Sequence, residues 1–154
     1  MSASTELIME SLDWDYAISP IFFLREQEKA NKAWFQTYLE NISKGFILSY
    51  NLTTREAWRF ITQLGRGRNA EITLQGVYGF LTGSFHVPIN WREMQLKVIF
   101  RHPGSLKEME GFHPQVKICP NIAELIFPVT NNEETFVNLW NDALSSLRYG
   151  FTRL

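Results

Sequence analysis

The residues best suited to metal or nucleophilic chemistry are one cysteine and three histidines. They are Cys119, His86, His102 and His113. A structural zinc site draws its ligands from closely spaced Cys and His pairs, and this sequence contains no such pair. Because no neighbouring charge would activate its thiol, we expect Cys119 to be a small core residue. The sequence therefore predicts no metal site, no cofactor and no catalytic residue.

A second candidate for chemistry is the basic stretch Gly65–Asn69. It lacks the Lys followed by Ser or Thr that closes a phosphate-binding loop, so it predicts no nucleotide site. Four arginines in and before this stretch could instead form a local cationic patch. They are Arg55, Arg59, Arg66 and Arg68. The alternative is a solvated turn and helix face without a partner.

The composition is typical of a single soluble domain. A chain of 154 residues, 45% of them hydrophobic, is long enough to bury a sizeable core. Its net charge of −1 provides no global attraction to nucleic acid or anionic lipid. One cysteine excludes an internal disulfide and fits a reducing compartment. No apolar run approaches the roughly 20 residues needed to cross a bilayer, and the first residues lack a cationic signal sequence, so we expect a non-secreted protein.

Residues 1–32 are expected to form a flexible N-terminal arm and a charged spacer. Residues 1–12 are polar, and Pro20 disfavours a regular helix through the apolar stretch that follows. The predicted contact residues of the arm are Trp14, Tyr16, Ile18, Ile21, Phe22 and Phe23. Because such side chains are costly to leave in water, the arm either folds back on its own core or docks on a neighbouring molecule. The sequence leaves both options open.

Residues 33–154 are expected to form the globular domain, which is organised around a helical hairpin. Apolar residues recur at helical spacing in 57–64 and in 74–81. Thr53 and Glu56 have the spacing of a capping box for the first helix, and Asn69 can cap the second. Glycines at three positions of the second helix leave a glycine-broken strand as the alternative. They are Gly76, Gly79 and Gly83.

The remaining elements are strands and a final helix. Alternation predicts strands at 46–50, with a partner in 34–43, and at 94–101, 116–119 and 123–129, where Pro128 indicates an edge strand or a strand end. Helical spacing behind Asn131 and Glu134 predicts a C-terminal helix. The predicted fold is α+β: a single domain with an antiparallel sheet packed by the helical hairpin and the C-terminal helix, and with an extended N-terminal arm.

The loop before the strand at 94–101 holds apolar residues among turn residues. They are Phe85, Val87 and Ile89. A loop of this composition either caps the core or presents an exposed apolar contact surface.

The order of these features resembles that of rhabdovirus matrix proteins, which condense the viral nucleocapsid and link it to the envelope. The resemblance covers about residues 34–154 and is strongest between Gly76 and Phe100. There a glycine-bearing helix ends in Leu81-Thr82-Gly83-Ser84, and it is followed by Val87-Pro88, Trp91 and the strand end Val98-Ile99-Phe100. The chain differs from several members in having no Pro-Pro-x-Tyr motif and no dense lysine cluster near its N-terminus.

The resemblance implies a non-enzymatic viral matrix protein that self-assembles and bridges the ribonucleoprotein nucleocapsid to the envelope membrane in virion assembly and budding. The arm would insert into the next subunit and build a head-to-tail homo-oligomer. The globular surface would meet the nucleocapsid and, peripherally, the anionic membrane, without sequence-specific nucleic-acid binding. The expected locations are the virion, the host cytoplasm and the inner face of host membranes, with the nucleus as a further site.

Two other classes of function remain open. A cytosolic protein-protein interaction or regulatory adaptor domain would have no enzymatic activity and would keep the arm within its own chain. An enzyme is the third class, although no coupled nucleophile, base or metal ligands support it. Filaments that form as concentration rises would favour the matrix class, and a monomer at high concentration would favour the adaptor.

If the arginine patch contacts nucleocapsid or acidic phospholipid, binding should weaken as salt rises, because exposed charges are screened over about 8 to 10 Å at physiological ionic strength. Sedimentation with anionic liposomes or with ribonucleoprotein measures this. The double substitution Arg66→Ala and Arg68→Ala should then reduce the bound fraction. Binding that does not change would remove these two residues from the patch.

Overall fold

The computed structural model describes residues 2–15, 21–44, 46–49, 59–62, 72–84, 86–103, 113–118 and 123–145. Within these ranges there are four α-helices: α1 (Thr5–Glu10), α2 (Phe22–Ser43), α3 (Leu74–Thr82) and α4 (Glu133–Ser145). The same ranges contain six strands: β1 (Leu12–Trp14), β2 (Phe46–Ser49), β3 (Arg59–Thr62), β4 (Leu96–Arg101), β5 (Gln115–Ile118) and β6 (Ala123–Pro128). The predicted mixture of helices and strands in one small domain is confirmed.

The main sheet has the strand order β1-β4-β6-β5. β1 and β6 both run parallel to β4, and β5 alone is antiparallel to its neighbour β6. The sheet is therefore mixed, and the expectation of an antiparallel sheet is wrong. Side-chain alternation is the same in both kinds of pair, so it could not distinguish them. Pro128 ends β6 opposite Arg101, which confirms the predicted strand end.

The N-terminal residues are part of the fold. The Ser4 hydroxyl caps α1 by accepting a hydrogen bond from the backbone N–H of Leu7 at 3.1 Å. Ile8 is fully buried, and Leu12 of β1 pairs in register with Leu96 of β4. The expectation of a poorly ordered, extended arm is therefore wrong for residues 5–14. The polar residues of this stretch conceal these elements in the sequence, although Leu7, Ile8 and Leu12 are buried in the core and Trp14 packs against it.

Helix α2 continues through residues 32 and 33, where the sequence analysis placed a boundary between arm and globular domain. The expected strand in 34–43 is wrong, because this stretch is the second half of the helix. Its buried side chains recur at helical spacing along one face. They are Glu28, Asn31, Phe35, Tyr38, Leu39 and Ile42. The polar residues Glu28 and Asn31 interrupt the apolar pattern, so the sequence did not indicate the helix.

Strands β2 and β3 form a separate antiparallel ladder in which Phe46 lies opposite Thr62. The strand predicted at 46–50 is confirmed for 46–49. The prediction of a first helix in the hairpin is wrong at 59–62, where the chain forms a strand. A stretch of four residues fits both the helical and the strand period, so its pairing with β2 decides its conformation. Thr53, Glu56 and the stretch Gly65–Asn69 lie outside the described residues.

Helix α3 confirms the second helix of the predicted hairpin and excludes a glycine-broken strand. Its N-cap is Thr73, whose hydroxyl accepts from the backbone N–H of Gly76 at 2.9 Å, so the expected cap at Asn69 is wrong. Gly83 ends the helix with φ of 79°, a left-handed conformation that glycine adopts without steric cost. Buried Gly79 lies within the helix.

The C-terminal helix is confirmed as α4, although its capping residue differs. Asn132, and not Asn131, accepts a hydrogen bond from the backbone N–H of Thr135 at 2.8 Å. The helix packs an aromatic face against α2 and the sheet: the ring centroid of Trp140 lies 4.7 Å from Phe35 and 5.7 Å from Phe127. These rings form the centre of the core.

Trp140 is 1% exposed, so Trp140→Ala should destabilise the protein by about 3 to 5 kcal/mol, the usual range for truncating a buried large aromatic side chain. Chemical denaturation followed by circular dichroism measures the change. Phe22→Ala is the control, because Phe22 is 64% exposed and its removal should leave the midpoint nearly unchanged. Equal midpoints for wild type and Trp140→Ala would contradict the core packing.

Candidate interaction surface

Three consecutive apolar side chains are exposed where α2 begins. Ile21, Phe22 and Phe23 have 54%, 64% and 64% of their surface exposed. Successive helix residues point about 100° apart, so Phe22 and Phe23 lie on different faces of α2. The Arg25 guanidinium carbon lies 5.8 Å from the centre of the Phe22 ring, whereas Phe23 faces a groove. We call Ile21–Phe23 the apolar end of α2.

The groove runs along α2 and is closed on one side by the residues that follow β6. Its volume is about 510 Å³, and it is largely open to solvent. The lining residues are Phe23, Glu26, Gln27, Ala30, Trp34, Thr130 and Asn131. The Gln27 side-chain amide donates to the Asn131 side-chain oxygen at 2.9 Å, which ties the two walls together. We call this feature the α2 groove.

A buried polar contact holds the wall of the α2 groove in place. The Asn31 side-chain amide donates to the backbone oxygen of Thr130 at 3.0 Å and to that of Gln27 at 2.8 Å. Its side-chain oxygen accepts from the backbone N–H of Thr130 at 3.0 Å. The single proton of the Thr130 hydroxyl is within reach of this oxygen at 3.0 Å and of the backbone oxygen of Asn132 at 2.9 Å. Asn31 is fully buried and its amide and its oxygen both bind Thr130, so the segment after β6 is fixed against α2.

A second buried contact joins α2 to the end of β4. Oε2 of Glu28 lies 2.5 Å from Nε2 of His102, and Glu28 is fully buried. Carboxylate and imidazole pairs of this kind occur in active sites and in structural networks alike. In this molecule the pair connects α2 to the residue that follows β4, and it lies on the same helix as the α2 groove.

A third contact connects α2 to α4. The hydroxyl of Tyr38 donates to the side-chain oxygen of Asn141 at 2.6 Å. Burial raises the pKa of the Tyr38 hydroxyl far above its ordinary value, and the nearby charge of Asp142 raises it further. The hydroxyl therefore remains protonated and a donor throughout the physiological pH range.

The residues predicted for the arm lie in different environments in the structure. Trp14 packs inside its own chain, with its ring centroid 5.5 Å from that of Phe127 and the Lys32 ammonium 5.0 Å from its ring. Tyr16 and Ile18 lie outside the described residues. Ile21, Phe22 and Phe23 are exposed, as a contact surface requires.

The other predicted sites are only partly described. Of the arginine patch, Arg59 lies in β3, and the remaining three lie outside the described residues: Arg55, Arg66 and Arg68. In the apolar loop, Val87 is buried and Ile89 is 95% exposed, so the loop both caps the core and presents an apolar side chain. Phe85 also lies outside the described residues.

The histidines that the structure describes do not form a common site. His86 is exposed in a loop, and Nε2 of His113 lies 4.0 Å from Oδ2 of Asp142. Cys119 lies outside the described residues. The residues that the structure describes contain no group of three His, Cys, Asp or Glu side chains placed to hold a metal ion. They also contain no helix long and apolar enough to cross a membrane.

The α2 groove was not predicted from the sequence. Phe23, Gln27, Ala30 and Trp34 are spaced at i, i+4, i+7 and i+11, which indicates one helical face. The four residues fall in three different expected elements, with Phe23 in the arm, Gln27 and Ala30 in the charged spacer, and Trp34 in a strand, so the helical face was not predicted. Thr130 and Asn131 contribute the opposite wall from far away in sequence, and no local pattern indicates their position.

Comparison of the chain with protein-family models, with curated proteins and with solved structures found no match in any of the three.

Replacing Asn31 should destabilise the protein and loosen the wall of the α2 groove. Asn31→Ala leaves the buried backbone N–H and oxygen of Thr130 without these partners, at a cost of about 1 to 3 kcal/mol. Asn31→Asp should have a similar effect, because it removes the amide donor. Chemical denaturation measures both.

Gln27→Ala is the matched control for the Asn31 substitutions. It removes only an exposed hydrogen bond from the same helix, so its effect should stay within about 0.5 kcal/mol. An Asn31→Ala variant as stable as wild type would show that this contact does not hold the wall.

Proposed function

We propose that this protein is a viral structural matrix protein of the rhabdovirus type. In this proposal it self-assembles and bridges the ribonucleoprotein nucleocapsid to the envelope membrane during virion assembly and budding. It acts without catalysis and without sequence-specific nucleic-acid binding, in the virion and at the inner face of host membranes. The order of sequence features between Gly76 and Phe100 supports this class of function.

The structural observation that carries the proposal is the apolar end of α2. Three contiguous, largely exposed apolar side chains beside an open groove are characteristic of an interaction surface, since scattered single residues are the ordinary case. We assign the self-assembly contact to Ile21, Phe22 and Phe23. We leave Trp14 out of this contact, because its ring packs against the core of its own chain.

The arginine patch is the proposed contact with nucleocapsid or with anionic membrane. Its members are Arg55, Arg59, Arg66 and Arg68. Phosphate groups of RNA or of lipid would provide the opposite charge, and a chain with a net charge of −1 needs such a local patch to bind them. The exposed Ile89 would add an apolar contact beside a membrane or a protein partner.

A cytosolic adaptor domain is the second candidate. One observation favours it: α1 and β1 pack within their own chain, as the adaptor hypothesis requires of the N-terminal segment. An adaptor would use the apolar end of α2 to bind a different protein. The two candidates therefore differ in whether this surface binds another copy of the chain.

Self-assembly distinguishes the matrix protein from the adaptor domain. The wild-type protein should form polymers as its concentration rises, detected by light scattering and by negative-stain electron microscopy. Replacing Ile21, Phe22 and Phe23 together by serine should abolish the polymers without unfolding the protein, because all three side chains are exposed. Deleting residues 1–24 is a poor test, since it removes α1 and β1 from the core.

Ile89→Ser is the matched control for the assembly test. It removes an apolar side chain that is 95% exposed on a different part of the molecule, so polymers should persist. A wild-type chain that stays monomeric at high concentration would contradict the matrix proposal and favour the adaptor. Polymers in the triple variant would place the assembly surface elsewhere.

A further inference from the structure

We draw no further inference here: the strongest candidate, the α2 groove between α2 and the residues that follow β6, with the exposed ring of Phe23 beside it, is an open apolar surface, and nothing in the structure shows what covers it.

Discussion

The packing of the Phe35 ring is the contact on which the rest of the structure depends. Its centroid lies 5.5 Å from that of Phe127 in β6 and 4.7 Å from that of Trp140 in α4. All three side chains are almost completely buried, so one residue of α2 joins the helices to the sheet. Trp14 extends the cluster to β1, because its ring also contacts Phe127. The N-terminal strand is therefore part of the same core and is not a separable arm.

Apolar packing alone would allow α2 to slide or turn over the core, and polar contacts along its inner face oppose this. Glu28, Asn31 and Tyr38 each bind a partner on a different element, and together they span about 15 Å of helix. Buried polar groups that find their partners in only one alignment favour that alignment over its neighbours. The same contacts therefore also fix the position of the α2 groove.

The sequence predicted the elements whose hydrophobic period is strong over many residues. β4 and α4 are clear examples, since each has a regular pattern of one period along most of its length. The sequence did not predict α2, because Glu28 and Asn31 interrupt its inner stripe and bind partners 74 and 99 residues away. It also did not indicate strand direction, since parallel and antiparallel neighbours show the same alternation. Both failures concern contacts between residues far apart in sequence.

The candidate site was predictable only in part for the same reason. The apolar residues Ile21–Phe23 are visible in the sequence, but the faces they occupy follow from the start of α2 at Phe22. Ile89 and Met94 are also exposed, yet a single exposed apolar side chain is ordinary on a protein surface. Phe23 differs from them because it borders a recess on its own helix.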